Sequence, residues 1–298
     1  MNMKFLTKSL IIVIALFVSI NAKSQDKLFA YYKVTTSGTV TDVAAKLKEQ
    51  LKSHDFMYLG AYHPEGKANM YVIAFTKKQL YALAIYGKTH KALASVLKFG
   101  IIKKGNTVTV SLLNPEYIFY AYFRNTTGSY AKLKVISDET HEILKSAGTG
   151  FKGFGGQLSK SELKKYHYMM GMPYFTDPVE LNVMPSFENA CETIEKNLKA
   201  GKGHTARVYR LKFNKSQIAI YGVALKDKED GEAYFLPVIG EDHIAAMPYE
   251  LIVVGKKVLM LHGKYRLALH WPELSMGQFM KIVSTPGYIE DTLEALTK

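Results

Sequence analysis

Apolar residues at Val40, Ala44, Leu47 and Leu51 recur at helical spacing behind Thr39, a hydroxyl residue suited to a helix N-cap. The pattern returns 147 positions later, with Phe187, Cys191, Ile194 and Leu198 behind Ser186. Each helix follows a strand-like run, over residues 28–36 and 179–184. Each precedes two more, over 56–62 with 70–75 and over 205–213 with 217–225. A second match sets residues 108–117, ending Asn114-Pro115-Glu116-Tyr117, against residues 265–274, ending Trp271-Pro272-Glu273-Leu274. Both read as a strand running into Pro-Glu at a helix start, where proline is tolerated and an acid suits the dipole. The offset there is 157, which places an insertion in the second copy at the charged stretch 226–232. Closing helices are expected over 138–146 and 289–296.

These elements predict an α+β fold, with two tandem repeats of a β-α-β-β-(α)-β-β-α unit and helices covering antiparallel sheets. The first repeat spans 25–148 and the second 178–298. Residues 149–177 between them hold Gly150, Gly153, Gly155 and Gly156 and read as a glycine-containing linker.

Ahead of the first repeat, Lys4 and Lys8 precede an apolar run over 10–20, followed by Ala22 and Ser24 at signal-peptidase spacing. Residues 1–24 are therefore expected to be a signal peptide, and the mature chain to be exported, periplasmic or secreted. The run is about half a bilayer core in length, too short to span. No later stretch is long and apolar enough either, so the mature chain is not expected to be a transmembrane protein. The lone Cys191 excludes an internal disulfide framework and a cysteine-cluster zinc site.

Composition adds one unusual number, a formal net charge of +13 over 298 residues. Three of those charges belong to the leader, the rest to residues 25–178, while residues 179–298 carry as many acids as bases. The excess is nearly all lysine and is spread along the chain. It reads as a solvated lysine-rich face or as a surface for an anionic envelope partner meeting the first repeat, rather than as a nucleic-acid site, which is read through clustered arginines.

Residues 70–75, then Leu97-Lys98-Phe99-Gly100-Ile101-Ile102, then Gly105 through Asn114-Pro115-Glu116-Tyr117, resemble domain of unknown function 302. The resemblance covers residues 70–117 and rests on the apolar strand, the hairpin and the Asn-Pro corner before a helix. Phe75-Thr76-Lys77-Lys78 stands where the family carries Gly-Asn-Pro, and the second copy has Trp271-Pro272 at the corner. It implies an α+β sandwich, no agreed activity and no catalytic residue.

Candidate chemistry is sparse. Ser129–x–x–Lys132 matches the acylating pair of penicillin-binding enzymes, but the companion motifs are missing. No nucleophile elbow, zinc-protease motif or dinucleotide fingerprint is present, and nothing implies a cofactor. His167, Met169, Met170 and Met172 combine imidazole with thioethers, a soft donor set for Cu(I) or Ag(I); methionine is equally a filler of cores and interfaces. Tyr117, Phe119, Tyr120 and Tyr122 form the densest aromatic run, either a buried helix or the lining of a ligand pocket. The reading is an exported, non-enzymatic binding module for a small molecule, lipid or glycan. A hydrolase with a site between the repeats, or a structural envelope component, are the alternatives.

Overall fold

A computed structural model describes residues 27–86, 89–124 and 127–298. The expected leader, residues 1–24, lies outside the described residues. The first sheet has six antiparallel strands in the order β2-β3-β4-β5-β1-β6. They are β1 (Lys27–Thr36), β2 (Phe56–Tyr62), β3 (Met70–Lys77), β4 (Leu97–Lys104), β5 (Thr107–Leu113) and β6 (Thr149–Ser159). The second has five antiparallel strands in the order β7-β11-β10-β9-β8. These are β7 (Val179–Val183), β8 (Thr205–Phe213), β9 (Ile218–Leu225), β10 (Tyr249–Val254) and β11 (Lys257–Met260). With β7–β11 set against β1–β5, the strand order is the same in both sheets.

Helix α1 (Val40–Ser53) begins at Thr39, whose hydroxyl accepts from the Asp42 N–H at 3.0 Å. Its counterpart α6 (Phe187–Lys199) begins at Ser186 in the same way, with Asn189 at 3.0 Å. Val40, Val43, Ala44, Leu47 and Leu51 form the buried stripe of α1; Phe187, Ala190, Cys191, Ile194 and Leu198 form that of α6. Cys191 is thus a buried free thiol.

The hairpins fix the register between the halves. Lys104 faces Thr107 around Gly105-Asn106, and Val254 faces Lys257 around Gly255-Lys256. Gly105 and Gly255 have φ of 58° and 59°, the left-handed backbone that tight hairpin turns require. The offset at this point is 150, not the 157 expected from the Pro-Glu match. Residues 265–270, expected as a strand, belong instead to helix α8 (Gly263–His270), capped by the His262 ring nitrogen accepting from the Lys264 N–H. Tyr265, Leu267 and Leu269 alternate like a strand, but Arg266 and His270 are buried too. A helix buried nearly all round leaves no 3.6-residue signature in its sequence. Its counterpart is α3 (Pro115–Phe123), capped by the Asn114 side chain on the Glu116 N–H at 3.1 Å.

The glycine-containing segment also departs from expectation. It is not a free linker but β6, paired along β1 from Lys27↔Ser159 to Thr35↔Thr149. A Cβ on Gly153 would lie 2.2 Å from the Phe29 ring, and one on Gly155 2.5 Å from the Tyr31 ring. The glycines let β1 aromatics lie across the neighbouring strand, and register shifts absorb the irregularity.

The remaining helices are α2 (Lys78–Ala84), α4 (Tyr130–Ser146), α5 (Lys160–Leu163), α7 (Glu232–Ile239), α9 (Met276–Lys281) and α10 (Thr285–Ala295). The halves exchange short 3₁₀ turns. His90–Ser95 of the first packs against β9 and β10, while Glu241–Ala246 of the second packs against β4 and β5. Every residue of β9 is consequently buried, and one apolar cluster runs through both sheets. The edge strands β2 and β8 meet where each carries a register shift, at Leu59 and Val208.

Part of the lysine excess is answered inside this junction. Lys33 pairs with Asp242 at 2.8 Å, Lys104 with Glu241 at 3.1 Å, and Lys98 with Glu250. The basic half meets acids of the neutral half.

Candidate functional site

Helix α3 is buried on nearly every side, and its aromatic residues separate accordingly. Tyr117 donates to the Leu269 carbonyl at 2.9 Å, and the Tyr122 hydroxyl lies 3.4 Å from Nε2 of His270, both on α8. Phe119 and Tyr120 turn to the other side and line a cavity of about 160 Å³ with Glu116, Tyr130, Lys134 and Lys160. The four side chains do not share one pocket.

Between the halves lies a buried charged group. Glu250 accepts from Lys98 and, at 3.2 Å, from Tyr209, and Arg266 reaches its other oxygen at 3.5 Å. The Arg266 guanidinium stacks on Tyr249 at 3.6 Å and donates to the Ala246 carbonyl at 2.6 Å. Burial lowers the Lys98 pKa against the pull of Glu250. Burial, with the Arg266 and Lys98 charges, holds His270 well below its ordinary value and therefore neutral. Lys98, Tyr122, Glu250 and His270 edge a cavity of only about 20 Å³, the size of a single water. These polar groups have no room for a substrate.

The open concave surface lies elsewhere, where the chain after β6 crosses α8 and α9. Helix α5 starts with a capping box between Ser159 and Glu162. Tyr166 then ties the crossing segment to α8, donating to the Ala268 carbonyl at 2.8 Å. A turn closed by Met172 N–H on the Met169 carbonyl at 3.0 Å brings both methionines back over α8. From the other side comes α9, set by a second capping box between Ser275 and Gln278. Together they enclose about 140 Å³ walled by Met169, Met172, Leu267, Trp271, Met276 and Phe279, with Lys264 at the edge. Tyr168 is shared with a wider cavity of about 560 Å³ whose walls include Leu158, Lys165, Tyr166, His167 and Tyr174. Neither Lys165 nor Lys264 forms an ion pair among the described residues. Trp271 is buried, and its indole N–H finds no acceptor among the described residues.

The soft-metal group is divided by this geometry. Met169 and Met172 face the apolar cavity, His167 packs on Tyr174 at 4.3 Å beside the wider one, and Met170 is 95% exposed. Among the described residues no three His, Cys, Asp or Glu side chains gather as a metal site. Sequence reasoning missed Trp271, Met276 and Phe279 as partners of Met169. The signal available was the apolar trio Met276, Phe279 and Met280 on a short helix that buries none of its residues.

No family model matches the chain, and no curated protein matches it. A solved structure does, the crystal structure of the uncharacterized conserved protein DUF302 from Bacillus stearothermophilus. The identity is 15%, over 40% of this chain and 99% of that one, with a TM-score of 0.36. It is a structure of the family that the Asn114-Pro115 corner resembles.

Proposed function

We propose that this chain is a binding module that holds an elongated amphiphile in the groove formed by the two cavities sharing Tyr168. One observation carries the reading: a methionine- and aromatic-walled cavity edged by Lys264 shares Tyr168 with a wider one edged by Lys165. Thioethers and aromatic rings accept an acyl chain with little demand on its shape. Lys165 and Lys264 favour an anionic head. Glu162 also edges the wider cavity, but its carboxylate is engaged by the Ser159 N–H at 2.7 Å.

Export through the expected leader is part of this proposal, as is a place in the periplasm or outside the cell. No described helix is long and apolar enough to cross a membrane. A hydrolase site between the halves is the weaker reading, because the polar groups there surround the volume of a single water.

Trp271 is the chain's single tryptophan and walls the cavity, so it reports occupancy directly. Titration with a fatty acid brominated at mid-chain, below its critical micelle concentration, should quench Trp271 fluorescence saturably. A linear, collisional response would sink the proposal.

A further inference from the structure

Five of the ten methionines in residues 27–298 belong to the two segments that wall the groove. Met170, Met280, Met276 and Met169 are 95%, 59%, 54% and 49% exposed. By contrast Met70, Met184, Met247 and Met260 are all buried. A core filler is normally hidden, yet here five methionines are gathered on the two segments beside an apolar opening. Met169, Met172 and Met276 face into it, while Met170 and Met280 stand in solvent on the same two segments.

We propose that Met169, Met172 and Met276 are a modification site for two-electron oxidants of the peroxide class, and that their oxidation closes the groove to its apolar ligand. This rests on the amphiphile reading above. The step is an oxygen-atom transfer. A sulfur lone pair attacks one peroxide oxygen, the S–O bond forms as the O–O bond breaks, and the second oxygen leaves as water. Sulfur loses two electrons and the peroxide gains them. The product sulfoxide is a strong acceptor on a wall built from Leu267, Phe279 and the Trp271 ring. Seating an acyl chain there would bury that acceptor without a donor. Methionine sulfoxide is enzymatically reducible, so the closure is reversible.

The test oxidises the whole chain with hydrogen peroxide, maps sulfoxide residue by residue by peptide mass, and repeats the brominated fatty-acid titration on each sample. Sulfoxide should accumulate at Met169 and Met276 well ahead of Met70, Met247 and Met260. Affinity should fall by about tenfold or more as it does. In a Met169→Leu/Met172→Leu/Met276→Leu variant, whatever its starting affinity for the probe, peroxide treatment should leave that affinity unchanged. Met57→Leu, which removes a 47%-exposed methionine on β2, should lose affinity like the parent. Unchanged affinity of the oxidised parent, or an equal loss in the triple variant, overturns the proposal and leaves the binding reading standing. If the unoxidised chain takes no probe, the binding reading fails and the closure falls with it.

Discussion

Tyr62 at the end of β2 donates its phenolic hydrogen to Glu232 of α7 at 2.8 Å, so a carboxyl of one half is gripped by the other. The backbone N–H groups of Glu65 and Leu225 complete the site, each at 3.3 Å. Burial outweighs these donors and pushes the Glu232 pKa up to about 7 from an ordinary 4.5. The folded chain therefore holds a proton that the unfolded chain releases between those two values. Stability contributed by this group is full below the lower value and is lost as pH rises through the upper one. Glu232→Gln keeps the site neutral and should gain on the parent, by up to about 3 kcal/mol, between pH 4.5 and 8. Urea unfolding of both proteins at the two pH values measures it; a difference independent of pH would refute the assignment.

His141 on α4 works in the opposite direction. Its ring lies 4.7 Å from Tyr32 and 5.9 Å from Phe151, and burial lowers its pKa to about 4. Here the unfolded chain binds the extra proton, so stability is lost as pH falls from 6.5 toward 4. His141→Phe should gain on the parent over that interval, by at most about 3 kcal/mol, and show no such trend above pH 7. Thermal midpoints at pH 4.5 and 7.5 give the comparison.

Glu250 is the single carboxylate among Lys98, Arg266 and Tyr209, so the two ways of breaking this group differ. Lys98→Met leaves Glu250 with Arg266 and Tyr209. Glu250→Gln leaves two buried cations without an anion, a loss of about 3–5 kcal/mol. The Gln variant should be the less stable of the two by denaturant midpoint, and the reverse order would show that Lys98 is neutral in the folded chain.

At the groove, Met276 is 54% exposed on a helix with no buried residue. Met276→Asp puts a charge in the mouth of the cavity without removing core contacts. Fatty-acid quenching of Trp271 should weaken by about tenfold or more, while stability moves by less than about 0.5 kcal/mol. Retained quenching would place the ligand elsewhere.

The α+β class and the capped helices at Thr39 and Ser186 are legible in the chain because each helix shows one face to water. Legibility fails where burial is complete. Residues 265–270 alternate like a strand because a helix covered nearly all round has little solvent face to mark its period. The glycines of β6 read as a flexible break because their cause, the rings of Phe29 and Tyr31, lies about 120 positions away. The groove was half visible. The methionines near 170 stood out, but their partners Trp271 and Met276 come from a helix pair packed against them only in the fold.

The contact between β2 and β8 yields a paired prediction in which one chemical change has opposite signs. A Cβ on Gly60 would lie 2.1 Å from the Val208 carbonyl oxygen, which is backbone and cannot rotate away. Gly60→Ala must therefore push the two edge strands apart where the halves meet, costing about 2 kcal/mol or more. Gly277 lies inside α9, and a Cβ there meets nothing within 4 Å. Gly277→Ala should stabilise by up to about 1 kcal/mol, because alanine loses less backbone freedom in a helix. If the halves are one cooperative unit, Gly60→Ala lowers a single unfolding transition. Calorimetry of that variant reads the coupling: a split into two transitions would show that the contact through Gly60 and Val208 is what makes the sheets unfold together, and an unchanged midpoint would show that it joins nothing.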